Sequence, residues 1–192
     1  MDILEKAVSV LSHDGIVIYP TETVYGLGAD AFSDAAIQKV YEAKHRPLGQ
    51  PISIGVSGFE MMAAVAFVDP PMEEFIEAFL PGPVTVVLKA KHLVPEILTG
   101  GTGLIGIRIP AHPLALSLIE QFDGPITATS ANLHGAKDPA TADECTVPRD
   151  LLIDGGRLAG TPSSVIDLTT MTVLRRGARA EEIDRYLSLH RI

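Results

Sequence analysis

Short apolar runs rich in β-branched residues, separated by segments of helical periodicity, constrain this 192-residue chain more than any other feature. Gly15–Tyr19, ISIGV at 52–56, Val84–Leu88, Leu104–Ile109, 125–129, 150–153, 164–168 and 172–175 each read as a strand. None approaches the ~18–20 apolar residues of a membrane span. Between them lie helical patterns. Residues 2–12 place Ile3, Leu4, Ala7, Val8 and Leu11 on one face. Ser33 is a candidate N-cap for a helix to about Lys44, and further helices are expected at 71–80, 113–121 and 180–189. The segments from Thr21 to Asp30 and from Ser130 to Thr141 read as polar loops. Strands and helices alternate without a strict βαβ rhythm, so the expected class is α/β with a mixed sheet and flanking helices. No linker or repeat divides the chain, and residues 1–192 are expected to form one domain.

Composition narrows the function. The chain is 46% hydrophobic with mean hydropathy +0.26, which excludes disorder. Its single cysteine, Cys145, excludes a disulfide framework and fits a reducing compartment. Residues 1–12 carry no secretory signature, so a cytoplasmic protein without membrane contact is expected. The net charge of −9 argues against coating nucleic acid. Any phosphate chemistry must then rest on local clusters of cations.

Four polar clusters stand at strand ends or in loops, where functional groups are commonly mounted. Pro20 to Gly28 carries the hydroxyls of Thr21, Thr23 and Tyr25 and ends in two glycines, which suit close backbone approach to a ligand or a plain tight turn. Its Gly-x-Gly-x-x-Ala spacing is a poor dinucleotide fingerprint, because polar residues separate it from the strand and no acidic partner follows ~20 residues later. Lys44-His45-Arg46-Pro47 closes a helix, where cations either complement the dipole or reach toward a polyphosphate. Arg108 interrupts an apolar strand and needs an anionic partner, either an internal carboxylate or a substrate's. His112, between strand and helix, reads as a cap or packing residue. Ser130 and Asn132 lack the nucleophile-elbow glycines, so they suit hydrogen bonds to phosphate or ribose oxygens, or a turn. The six histidines and one cysteine show no metal-ligand spacing, leaving Mg²⁺ brought by phosphates as the expected metal.

In this order, the segments PTETVYGLGADA at 20–31, KHRP at 44–47, LPGPVTVVL at 80–88, IGIRIPAHP at 105–113, TATSANLHG at 127–135, PSSVIDL at 162–168 and VLRRG at 173–177 resemble the threonylcarbamoyl-AMP synthase family. The shared unit of that family is the YrdC-like domain. The resemblance leaves no room for the extra C-terminal domain of longer members. It implies a twisted mixed sheet with a concave, locally positive face, and the condensation of L-threonine, bicarbonate and ATP to threonylcarbamoyl-adenylate and pyrophosphate. That product is passed to transferase proteins that modify tRNA.

The same resemblance assigns residues. Lys44 and Arg46 would stabilise charge on the triphosphate, with no protein nucleophile; Ser130, Asn132 and Arg175 complete the ATP site. Thr23, Tyr25, Arg108 and Ser163 form the threonine site, Arg108 gripping the carboxylate. The chain departs from the family's pattern at Gln50, at Gly55 (where a histidine is usual), at Leu104 and at Arg176. Two further readings compete. One is a non-catalytic module binding nucleotide or double-stranded RNA weakly through Lys39, Lys44, Arg46, Arg175, Arg176 and Arg179. The other is a carbamoyl-transfer relative with another substrate, motivated by Gly55.

Overall fold

The computed structural model describes residues 2–190. The first half of the chain forms α1 (Ile3–Leu11), β1 (Val17–Tyr19), β2 (Gly26–Gly28), α2 (Asp34–Lys44), β3 (Ile54–Gly55), α3 (Phe59–Val65), β4 (Ala66–Phe67), α4 (Pro70–Phe79) and β5 (Val84–Ala90). The second half adds α5 (Glu96–Thr99), β6 (Leu104–Arg108), α6 (Pro113–Phe122), β7 (Ile126–Thr127), β8 (Thr129–Ser130), β9 (Leu151–Leu152), β10 (Ser164–Asp167), β11 (Thr172–Arg175) and α7 (Ala180–Leu189). None of these helices is long and apolar enough to cross a membrane.

The helices begin where side chains satisfy the free N–H groups of their first turns. Asp2 and Glu5 form a capping box on α1. Ser33 accepts from Ala36 N at the head of α2, Asp69 caps α4 ahead of two prolines, and His112 caps α6 by accepting from Leu114 N. The expected role of His112 as a cap is the one found.

The mixed sheet is divided in two. A smaller sheet runs β8-β2-β1-β9, and a larger one runs β11-β10-β5-β6-β3-β7, with β4 pairing the far end of β5. In the larger sheet β5 is antiparallel to β6 and parallel to β10, so Val86 lies opposite both Ile107 and Ile166. The main core packs α2, α4 and the larger sheet together through Ile37, Val40, Phe75, Phe79, Val86 and Ile107. A second apolar cluster joins α1 and α6 to β1 through Ala7, Leu11, Val17, Leu118 and Ile119.

The expected strand at 125–129 becomes two. Ile126 and Thr127 pair with β3 in the larger sheet, whereas Thr129 and Ser130 pair with β2 in the smaller. Ala128, whose N–H donates to Ser53 O at 2.7 Å, is where the chain steps between sheets. β2 lies inside the expected loop at 21–30, because two glycines and three residues carry no strand signal. It forms by pairing antiparallel with β1. α3, α5 and β4 also escape the sequence reading, being too short for a periodic signal.

Candidate active site

A cavity of about 350 Å³ opens between the two sheets at this step. The smaller sheet contributes Tyr19, Gly26, Thr129 and Ser130 to its wall, and the larger contributes Gly55, Thr85, Arg108 and Arg175. That volume suits a small molecule rather than a duplex. Of the expected site residues, Lys44, Arg46, Arg108, Ser130, Asn132, Ser163 and Arg175 line it together. They come from segments up to 131 positions apart.

Lys44 ends α2 and is 2% exposed. Its ammonium donates to the carbonyl of Ser130, to that of Asn132 at 2.7 Å and to Asn132 Oδ1 at 3.2 Å. Three acceptors take its three hydrogens, leaving no donor for a ligand. Burial, and then the Arg46 guanidinium, push its pKa down to about 8. Lys44 therefore brings positive charge to the wall while holding the turn that follows β8.

That turn is locked from within. Ser130 Oγ donates to Asn132 Oδ1 at 2.6 Å, and Asn132 Nδ2 donates to Ala136 O and to Asp138 Oδ1. Both amide hydrogens of Asn132 are thus committed, and only the Ser130 hydroxyl can be redirected by a rotation.

The arginines retain open donors. Arg46 spends Nε and Nη2 on the carbonyls of Gln50 and Pro51. Arg175 spends the same atoms on Ser163 O and Ser163 Oγ. Nη1 of each has no protein partner among the described residues. Ser163 Oγ also shares a hydrogen bond with Thr85 Oγ1, which fixes the wall between β5 and β10.

Arg108, at the end of β6 and 9% exposed, is held from the loop after β1. Its Nη1 donates to Thr23 Oγ1 at 2.9 Å. Thr21 Oγ1 donates to Val24 O, so the 2.8 Å contact between the two threonines carries the Thr23 proton to Thr21. The result is a directed chain, Arg108 to Thr23 to Thr21 to Val24. The internal anionic partner left open by the sequence is Glu22, whose Oε1 lies 2.8 Å from Arg108 Nη2.

Two of the expected site residues stand off the cavity wall. Thr23 does not line the cavity, because its hydroxyl is spent between Arg108 and Thr21; it positions the arginine instead. Tyr25 lies outside the wall, its hydroxyl donating toward Asp154 Oδ1 and Gly156 O while accepting from Gly155 N. The glycines of the same segment also have a packing role, and Gly26 lines the cavity as well. A Cβ on Gly26 or Gly28 would stand 2.8 or 2.9 Å from the Tyr19 ring, so they make room for that ring. The sequence reading missed Glu22, Thr85 and Asp138; Glu22 carried a legible signal, as the carboxylate beside Thr21 and Thr23.

A Cβ on Gly55 would stand 3.3 Å from Ile119 Cδ1 and 3.7 Å from Ala128 Cβ, so a side chain there would start against α6. Leu104 and Arg176 lie off the cavity, Arg176 being paired with Asp184 at 2.7 Å. Arg179 is likewise paired with Glu182, and Lys39 donates to Asp14 O. No group of three or more His, Cys, Asp or Glu among the described residues is arranged to hold a metal.

The fold is mixed α/β, with a cavity between two sheets whose wall carries Lys44, Arg46, Arg108 and Arg175. The chain belongs to the Sua5/YciO/YrdC family, whose model, described as "Telomere recombination", matches residues 9–177. It is 40% identical over 186 residues to a threonylcarbamoyl-AMP synthase of Pyrococcus abyssi, covering 92% of this chain and 55% of that protein. A threonylcarbamoyl-AMP synthase of Shigella boydii is 33% identical over 187 residues, covering 92% of this chain and 96% of that one. The fold is similar to the crystal structure of P. abyssi Sua5 complexed with L-threonine, with a TM-score of 0.87 and 36% identity. That match covers 94% of this chain and 56% of the Sua5 chain.

Proposed function

We propose that this chain is an L-threonylcarbamoyladenylate synthase. The observation that carries the reading is the convergence of Arg46, Arg108, Ser130 and Arg175 on one cavity, in a family whose P. abyssi member is described with L-threonine bound. The amine of L-threonine and bicarbonate condense to a carbamate with loss of water. A carbamate oxygen then attacks the α-phosphorus of ATP, and pyrophosphate leaves. Two anions must be brought together, so charge neutralisation and positioning supply the catalysis and no protein nucleophile is needed.

Each wall has a part. The open Nη1 groups of Arg46 and Arg175 bind triphosphate oxygens, with Lys44 adding charge from behind the turn. Ser130 turns its hydroxyl from Asn132 to a phosphate oxygen. Arg108 takes the threonine carboxylate, and Ser163 closes that end. Asp138 is the one carboxylate on the cavity wall among the described residues, and its oxygen would help hold a Mg²⁺ brought by the phosphates, which would neutralise their charge. The product goes to tRNA-modifying transferases in the cytoplasm. Commitment of Arg176, Arg179 and Lys39 to internal partners favours this reading over an RNA-binding module.

Pyrophosphate release is the test. The synthase requires ATP, L-threonine and bicarbonate together. Release with another amine but not threonine identifies a carbamoyl-transfer relative, and no release with any amine leaves a binding module.

A further inference from the structure

Most hydroxyls on the cavity wall are committed: Thr85 to Ser163, Ser130 to Asn132 and Tyr19 to the carbonyl of Thr127. Those of Ser53 and Thr129 also line the cavity and make no hydrogen bond among the described residues. Thr129 stands on β8 next to Ser130, at the phosphate end. Ser53 is placed differently. It precedes Ile54, which pairs with Ile107 of β6 on one side and with Thr127 of β7 on the other. That register sets Ser53 between Gly106 and Ala128, and its carbonyl accepts from Ala128 N at 2.7 Å.

The bare backbone of Gly106 gives the hydroxyl its position. A Cβ there would collide with Ser53 Oγ and stand 3.3 Å from Thr85 Cγ2. Ser53 Oγ therefore leans over β6 and toward Thr85, two residues along the strand from Arg108. On its other side, Ala128 leads within two residues to Ser130. The hydroxyl thus stands between the wall that takes threonine and the wall that takes the phosphates. The group that joins those two substrates is the carbamate. One of its oxygens must bond to the α-phosphorus as the bond to pyrophosphate breaks. A cation gripping both oxygens would blunt that attack. A neutral hydroxyl has one hydrogen to give, so it holds one oxygen and leaves the other free. Gly55 and Ala128 beside it bring no polar side-chain atom to compete.

We propose that Ser53 is a further catalytic residue, whose hydroxyl donates first to bicarbonate and then to the non-attacking oxygen of the carbamate. It keeps its own proton throughout: the amine and bicarbonate lose water to form the N–C bond, and the hydroxyl only orients what forms. The inference rests on the synthase reading and deepens it by giving the one-carbon substrate a place on the wall.

Ser53→Ala in the intact protein tests this. The bicarbonate requirement for pyrophosphate release is expected to rise about ten-fold or more, while calorimetry finds L-threonine and ATP binding within about two-fold of the wild type. An unchanged bicarbonate requirement overturns the proposal. So does an equal loss of threonine or ATP affinity, which makes Ser53 a structural residue only. N-carbamoyl-L-threonine, a stable neutral relative of the carbamate, gives a measurement without turnover. The wild type is expected to bind it, and Ser53→Ala to weaken that binding about five-fold with L-threonine unaffected. Equal affinity in the variant, or no binding by the wild type, overturns the Ser53 assignment even where pyrophosphate release stands. Binding that depends on Ser53, in a wild type that releases no pyrophosphate, upholds the Ser53 contact and sinks the synthase reading instead.

Discussion

Lys44 Nζ lies 2.7 Å from the carbonyl oxygen of Asn132, and the same ammonium reaches the side chain of Asn132 and the carbonyl of Ser130. A lysine that ends a helix beside the cavity is thus spent on the turn opposite. Lys44→Met takes the Lys44 donor from the carbonyls of Ser130 and Asn132, while Asn132 Oδ1 keeps Ser130, and a loss of about 1–3 kcal/mol in denaturant unfolding is expected. ATP binding by calorimetry weakens in the same variant, because the turn bearing Ser130 is released.

The depressed pKa of Lys44 gives a second consequence. Between about 8 and the ordinary 10.5, the unfolded chain holds a proton that the folded protein has shed. The penalty of burying this charge is therefore fully present below about 8 and is relieved as pH rises through that window. The cavity loses one positive charge over the same range. ATP affinity is expected to fall from about pH 7 to about pH 9, and calorimetry should find the Lys44 part of that fall missing in Lys44→Met.

Arg108→Ala removes the guanidinium edge and strands Thr23 and Glu22. The threonine requirement for pyrophosphate release is expected to rise more than the ATP requirement. Steady-state kinetics with each substrate varied in turn check this, and a larger rise for ATP reassigns Arg108 to the nucleotide.

Thr23→Val keeps the shape of the side chain and deletes the acceptor for Arg108 Nη1. One buried donor is left unpaired, at a cost of about 1–3 kcal/mol in thermal or denaturant unfolding. Weaker threonine binding accompanies it, since the arginine loses its anchor.

Gly26→Ala drives a methyl group to 2.8 Å from the Tyr19 ring. Overpacking of this kind costs about 1–3 kcal/mol. Combining it with Tyr19→Leu should cost less than the two single changes added together, because the second change removes the clash. Unfolding midpoints of the three variants measure the difference.

Much of the fold was legible. The runs at Val84–Leu88 and Leu104–Ile109 and the helices beginning at Ser33 and His112 stand within a residue or two of expectation, since apolar periodicity and caps act locally. The strand at 125–129 was legible as extended chain but not as a crossing between sheets. Which edge Thr127 and Thr129 join depends on β3 and β2, both far away in sequence. β2 itself was hidden, because its two glycines carry no strand propensity and it forms only by pairing with β1.

The order of residue types along the chain determined the family, the mixed α/β class and the set of cations available to one site. Only the tertiary structure decided how those groups are spent. Lys44 meets Ser130 across 86 positions and Arg108 meets Thr23 across 85, and neither pairing leaves a local trace. A side chain's type fixes how many hydrogen bonds it can make; the groups that folding brings beside it fix which of them remain for a substrate.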